Sequence, residues 1–143
     1  MLHHNHLEIH QRETEGIVIL DLDGKLVLGA GDSVLSDRVH ALFNGDNRRL
    51  ILNLAAISEI DTTGMGVLLT EAEEYLKAGG KIVLYNIAHA HGQIYEMARL
   101  ESAIEIYRDE LDAVNSFFPD RKTARYDILT YIESQQHAAE EKK

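Results

Sequence analysis

Three short apolar runs, RLILNLA at 49–55, KIVLYN at 81–86 and AIEIY at 103–107, stand too far apart for tight turns and far enough apart for a helix in between. Antiparallel neighbours can be joined by a two-residue hairpin, whereas parallel strands need a crossover of about a dozen residues or more. The spacing therefore points to a largely parallel sheet with helical crossovers. The segment between the first two runs carries Met65, Leu68, Leu69, Ala72, Tyr75 and Leu76 at helical spacing, and Gly79-Gly80 closes it, which predicts a helix over 62–78.

The same reading extends in both directions. LEIHQRE at 7–13 and GIVILDLDG at 16–24 flank a Thr14-Glu15-Gly16 break and predict a hairpin or two adjoining strands. In SVLSDRVHALFNGDN, Val34, Leu35, Val39, Leu42 and Phe43 predict a helix with Asp32 as its N-cap and Gly45 at its stop. Further helices are expected at about 90–99 and over 109–117. Beyond Pro119, Ile128, Leu129 and Ile132 suit one more amphipathic helix, followed by a polar tail.

The expected class is α/β: one domain over 7–118 with a mixed, mostly parallel sheet of about five strands and about four helices, and a C-terminal extension over 119–143. A length of 143 residues with 45% apolar and 27% charged content suits one such domain with a real core.

A net charge of −10 argues against binding a phosphate backbone or an anionic lipid surface, and favours a protein or small-ligand partner. Cysteine is absent, no apolar run approaches 18 residues, and no basic segment precedes an apolar stretch at the N-terminus. Disulfides, a membrane span and a secretory signal are therefore not expected, and a cytoplasmic location is.

Within this frame IDTTGMGVLL at 60–69 is unusual, because it puts two glycines into the first turns of a helix. Each costs about 1 kcal/mol relative to alanine and needs an offsetting reason. On a helical wheel Gly64 lies toward the core, where it would let the helix approach the sheet, whereas Thr62, Gly66, Thr70 and Glu73 share an outward stripe. An outward Gly66 would let another molecule's backbone come near Thr62. Asp61 fits the N-cap, which makes Thr62 the first helical residue, at free backbone N–H groups and the positive end of the helix dipole. A phosphoryl group on Thr62 would add about −1.5 to −2 of charge beside Asp61, and near Asp23 on a neighbouring strand, without unfolding the helix. Asp-Thr-Thr-Gly is also a plain helix-start signal, and its setting between an apolar strand and a helix closed by Gly-Gly is what makes it specific.

With the strand RLILNLAAISEID, the motif DTTGMGVLL at 61–69, AGGKIVLYNI at 78–87 and IEIYRDELDAVNSF at 104–117, the chain resembles the anti-sigma factor antagonist family, the bacterial STAS domains, over about residues 7 to 118. The resemblance implies a non-enzymatic module that binds a serine/threonine kinase anti-sigma factor when unphosphorylated. It implies release when the hydroxyl residue after the motif aspartate, here Thr62, is phosphorylated. A phosphatase and self-association are compatible with it, and no cofactor or metal is expected. The implied partner surface comprises Asp23, Asp61, Thr62, Thr63, Gly66 and Asn86. Threonine in place of the serine common in the simplest antagonists also occurs in the stressosome branch, so a scaffold subunit and a small-ligand or lipid-sensing module stand as alternatives.

Other features are weaker. Asp21, Asp23 and Asp61 resemble the acidic cluster of a phospho-accepting receiver, but no hydroxyl residue closes KIVLYN and no lysine closes AIEIY. Asp23 before Gly24 also fits a turn aspartate. His3, His4 and His6 have no Cys or carboxylate partner at ligand spacing, and His89 and His91 have no evident orienting acid. Gly29-Ala30-Gly31 has Val34 where a dinucleotide fingerprint needs its third glycine.

Overall fold

The computed structural model describes residues 6–86 and 103–123. In chain order these form β1 (Leu7–Thr14), β2 (Ile17–Leu26), α1 (Asp32–Asn44), β3 (Arg49–Ile60), α2 (Thr62–Lys77), β4 (Lys81–Tyr85), β5 (Glu105–Tyr107) and α3 (Glu110–Asn115). The strands make one sheet in the order β1-β2-β3-β4-β5, with β1 antiparallel to β2 and every other pairing parallel. The expected hairpin is present: Thr14 pairs with Ile17 across Glu15 and Gly16, whose φ values of 50° and 80° suit a two-residue type I′ turn. The helices expected at 90–99 and beyond Pro119 at 128–132 fall outside the described residues.

Both faces of the sheet are covered, which is why the central strands read as nearly continuous apolar runs. Val18, Leu20 and Leu22 of β2 join Leu50, Leu52 and Leu54 of β3 under Leu35 and Val39 of α1 and Met65, Leu68, Ala72 and Tyr75 of α2. The alternate residues Ile17, Ile19, Ile51, Val83 and Tyr85 face the other way, with Ala113 and Val114 of α3 and with Phe117 and Phe118.

Three local expectations are corrected. Asp32 is not the N-cap of α1; Gly31 is, at φ 106°, and the Asp32 carboxylate instead accepts from the Gly29 amide at 3.1 Å. A Cβ at Gly31 would stand 2.2 Å from the Lys25 carbonyl oxygen, so no aspartate fits the capping position. Gly24 does not end a turn. It lies inside β2 at φ 129°, beside a register irregularity, and the strand runs on to Leu26 while β3 runs alongside to Ile60. On α2, Leu76 is 66% exposed and Glu71 is buried instead.

A polar clasp fixes α3 to the sheet. Arg12 of β1 donates to both Asp21 oxygens, at 2.7 and 3.0 Å, and to Glu110 of α3, while Tyr85 donates to Glu110 at 3.0 Å and Asn53 to Asp21 at 2.9 Å. The guanidinium holds the Asp21 and Glu110 carboxyls below the usual range, and burial first, then Glu110, pushes the Tyr85 phenol up to about 12. Carboxyls depressed in the folded state contribute stability above their unfolded values near 4, and that stability is lost as pH falls through the folded values. These side chains are partly solvated, so Arg12→Ala is expected to cost only about 1 kcal/mol at pH 7. Urea unfolding of both proteins from pH 7 down to pH 3 should show the gap closing below about pH 4.

Candidate functional site

The site forms where β2 and β3 end together. The Asp61 amide donates to the Leu26 carbonyl at 3.3 Å, which ties the two strand ends, and Asp61 itself is extended, with φ −105° and ψ −175°. Its Oδ1 accepts from the Gly64 amide at 2.8 Å, its Oδ2 from the Leu28 amide at 2.9 Å, and its carbonyl from the Met65 amide at 3.0 Å. Asp61 is thus the N-cap that the sequence suggests, and it also anchors the turn leading into α1. The Leu28 amide, and next the Gly64 amide, hold its carboxyl below the ordinary aspartate range, so it is an anion at neutral pH.

Thr62 opens α2 and is exposed, and Thr63 is half-buried. The two glycines do different jobs. A Cβ at Gly64 would lie 2.0 Å from the Leu26 carbonyl oxygen and 2.9 Å from Leu26 Cγ, so only glycine lets the helix close onto β2. A Cβ at Gly66 would meet nothing within 4 Å, which leaves a bare surface one turn from Thr62.

Sequence reasoning missed the third component. Val27 and Ala30 exchange backbone hydrogen bonds of 3.0 and 2.9 Å around a turn with Gly29 at φ 77°, and this turn projects Leu28, which is 71% exposed. The one signal available was an apolar residue beside a turn glycine. What pins that turn, the Asp61 carboxylate, lies 33 residues further along the chain. Gly29-Ala30-Gly31 therefore builds a turn and a helix cap.

Asp61, Thr62, Thr63 and Gly66 come together in this way, whereas Asp23 and Asn86 stand apart. Asp23 is exposed and pairs with Ala56, and Asn86 follows Tyr85, which pairs with Asn53. At about 3.3 Å per residue, those levels lie roughly 13 Å and 20 Å back along β3 from Ile60. Asn86, at φ 66°, finishes β4 and donates to the Tyr107 carbonyl at 3.3 Å. Asp21, Asp23 and Asp61 do not converge as a receiver centre would require, because Asp21 pairs with Asn53 in the register and is held by Arg12. His3, His4, His89 and His91 lie outside the described residues. Among the described residues no helix is long and apolar enough to cross a membrane.

The chain is 23% identical over 108 residues to an anti-sigma F factor antagonist of Paenibacillus polymyxa, covering 76% of this chain and 92% of that one. It is 28% identical over 97 residues to the anti-sigma F factor antagonist of Lysinibacillus sphaericus, covering 68% and 80%. Among solved structures it shares its fold with the anti-sigma factor antagonist SpoIIAA in its unphosphorylated form, with TM-score 0.60 and 16% identity over 80% of this chain and 99% of that one. The phosphorylated form of Bacillus SpoIIAA gives TM-score 0.58 and 19% identity over 77% and 99%. The STAS domain model matches residues 8–113, which takes in most of α3 and all of the described strands except Leu7, and the chain belongs to the STAS domain family.

Proposed function

We propose that this chain is a phosphorylation-switched binding module with no catalytic role of its own. Unphosphorylated at Thr62, it binds a kinase-type anti-sigma factor and so frees a sigma factor; phosphorylation of Thr62 ends that grip, and a phosphatase restores it. The reading rests above all on the exposed Thr62 hydroxyl at the first residue of α2, beside an Asp61 whose carboxylate oxygens are already committed to backbone amides. Such an aspartate is held in place by those bonds, and it stays as a fixed negative charge beside any phosphate. The names of the matched relatives, anti-sigma F factor antagonists, and the existence of SpoIIAA in two phosphorylation states support the same reading.

The docking surface in this proposal is centred on Asp61, Thr62, Thr63 and Gly66, with Leu28 as an apolar anchor. A standard protein interface covers about 800 Å² per partner, broad enough to reach Asp23 as well and, at its edge, Asn86. Close docking uses the bare backbone at Gly66, and an added dianion opposes it by like-charge repulsion and lost fit. Intact-mass spectrometry with site mapping, after incubation with ATP and each candidate anti-sigma kinase of the source genome, tests this. The expected result is one phosphate on Thr62, absent in Thr62→Ala; no uptake with any kinase sinks the proposal.

A further inference from the structure

Further along α2, about two and a half turns past Thr62 at Glu71 and just over three at Glu74, the seam between α1 and α2 gathers His40, Glu71 and Glu74. His40 Nε2 lies 3.0 Å from Glu71 Oε2 and 3.3 Å from Glu74 Oε2, and one ligand atom from each residue falls within 4.8 Å of the others. Ligands held at about 2.0–2.1 Å on a tetrahedral zinc ion stand about 3.3 Å from one another, so the His40 nitrogen is spaced from each carboxylate oxygen like a neighbour in one coordination shell.

A second observation points to a ligand there. Glu71 is only 4% exposed, and its Oε2, turned toward His40, is buried with no hydrogen bond, although the ring nitrogen is near enough to make one if it were in line. A buried carboxylate oxygen that makes no hydrogen bond is costly, and a cation held by it and the imidazole would satisfy both. The other oxygen, Oε1, accepts from the Ser36 hydroxyl at 3.2 Å, which orients the carboxylate as supporting hydrogen bonds orient metal ligands. Glu74 and the half-exposed His40 border an open groove of about 420 Å³, also lined by Phe43, Asn44 and Lys77, which gives an ion a way in and room for a water.

We propose that His40 Nε2 and the carboxylates of Glu71 and Glu74 form a zinc-binding site that clasps α1 to α2, with water as the fourth ligand. A nitrogen ligand beside two carboxylates suits zinc better than calcium or magnesium, which take all-oxygen shells. No sequence pattern points to it, because His40 lies on α1, Glu71 and Glu74 lie on α2, and no zinc motif links them.

The test uses the full chain carrying His3→Ala, His4→Ala and His6→Ala, so that the N-terminal histidines cannot supply the binding, stripped with a chelator and titrated with Zn²⁺ alone. Calorimetry should give one zinc per chain, and the unfolding midpoint should rise by about 5–10 °C at a hundredfold excess over Kd. Bound Co²⁺ should show the visible absorption of a tetrahedral site. His40→Ala, at a half-exposed position, and Glu71→Gln should each weaken Zn²⁺ at least about tenfold, with His40→Ala still folded when metal-free. The proposal is overturned if zinc binding vanishes with the three N-terminal histidines, if His40→Ala leaves it unchanged, or if Mg²⁺ or Ca²⁺ raises the midpoint equally.

Discussion

Gly64→Ala is expected to cost about 3 kcal/mol of stability, whereas Gly66→Ala, two residues on in the same helix, is expected to gain about 0.5–1 kcal/mol. Both substitutions add one methyl group and the same improvement in helix propensity, so any difference between them comes from what the methyl meets. At Gly64 it meets the Leu26 carbonyl at 2.0 Å, a backbone atom in the middle of the β2–β3 junction that cannot swing aside like a side chain. Either α2 lifts off the sheet, opening the layer around Leu68 and Tyr75, or the Asp61 cap and the Leu26 pairing break. At Gly66 the methyl enters open space. Urea unfolding at pH 7 with unchanged m-values measures both. Equal effects, or a harmless Gly64→Ala, would show that α2 does not depend on this close approach.

The same pair of glycines shows how far the sequence could be read. Their division of labour followed from the 3.6-residue register alone, because the register is anchored by Met65, Leu68, Ala72 and Tyr75, all buried as the stripe required. The stripe failed at its edge, where Leu76 was expected inside and Glu71 lies inside instead. That position is set by the neighbouring α1, through Ser36 and His40, and periodicity within one helix carries no information about a partner helix. Asp61 was legible as a cap because capping is local. Its second bond, to the Leu28 amide, was not, and with it went the exposed Leu28 beside the site. The length of β2 was underestimated for a related reason: it extends because β3 runs alongside it, Gly24 with Ile57 and Leu26 with Ile60, so Gly24 looked like a stop only while β2 was considered alone.

Thr62→Glu is expected to weaken binding to the kinase-type partner by roughly 30- to 1000-fold, about 2–4 kcal/mol, while leaving the fold intact. A carboxylate at the first position of a helix faces the positive end of the dipole and is favourable by about 0.3–1 kcal/mol, so lost stability would not explain lost binding. The Asp61 anion cannot rotate away from the new charge, because its two oxygens are held by Leu28 and Gly64. Salt separates the two components of the effect. Repulsion across a partner surface weakens as the screening length falls from about 10 Å at 0.1 M to 3 Å at 1 M, whereas a steric misfit does not. Two uncharged variants isolate the remainder: Leu28→Ala, at a side chain too exposed to matter for folding, and Gly66→Ala, which stabilises the helix, should both reduce affinity, by about tenfold where an anchor is lost. A more stable Gly66→Ala protein that binds more weakly would mean that the bare helix start is kept for docking at the expense of the fold. If Thr62→Glu binds as tightly as the unaltered chain, and neither neighbour matters, the partner docks elsewhere and Asp-Thr-Thr-Gly is a helix cap and nothing more.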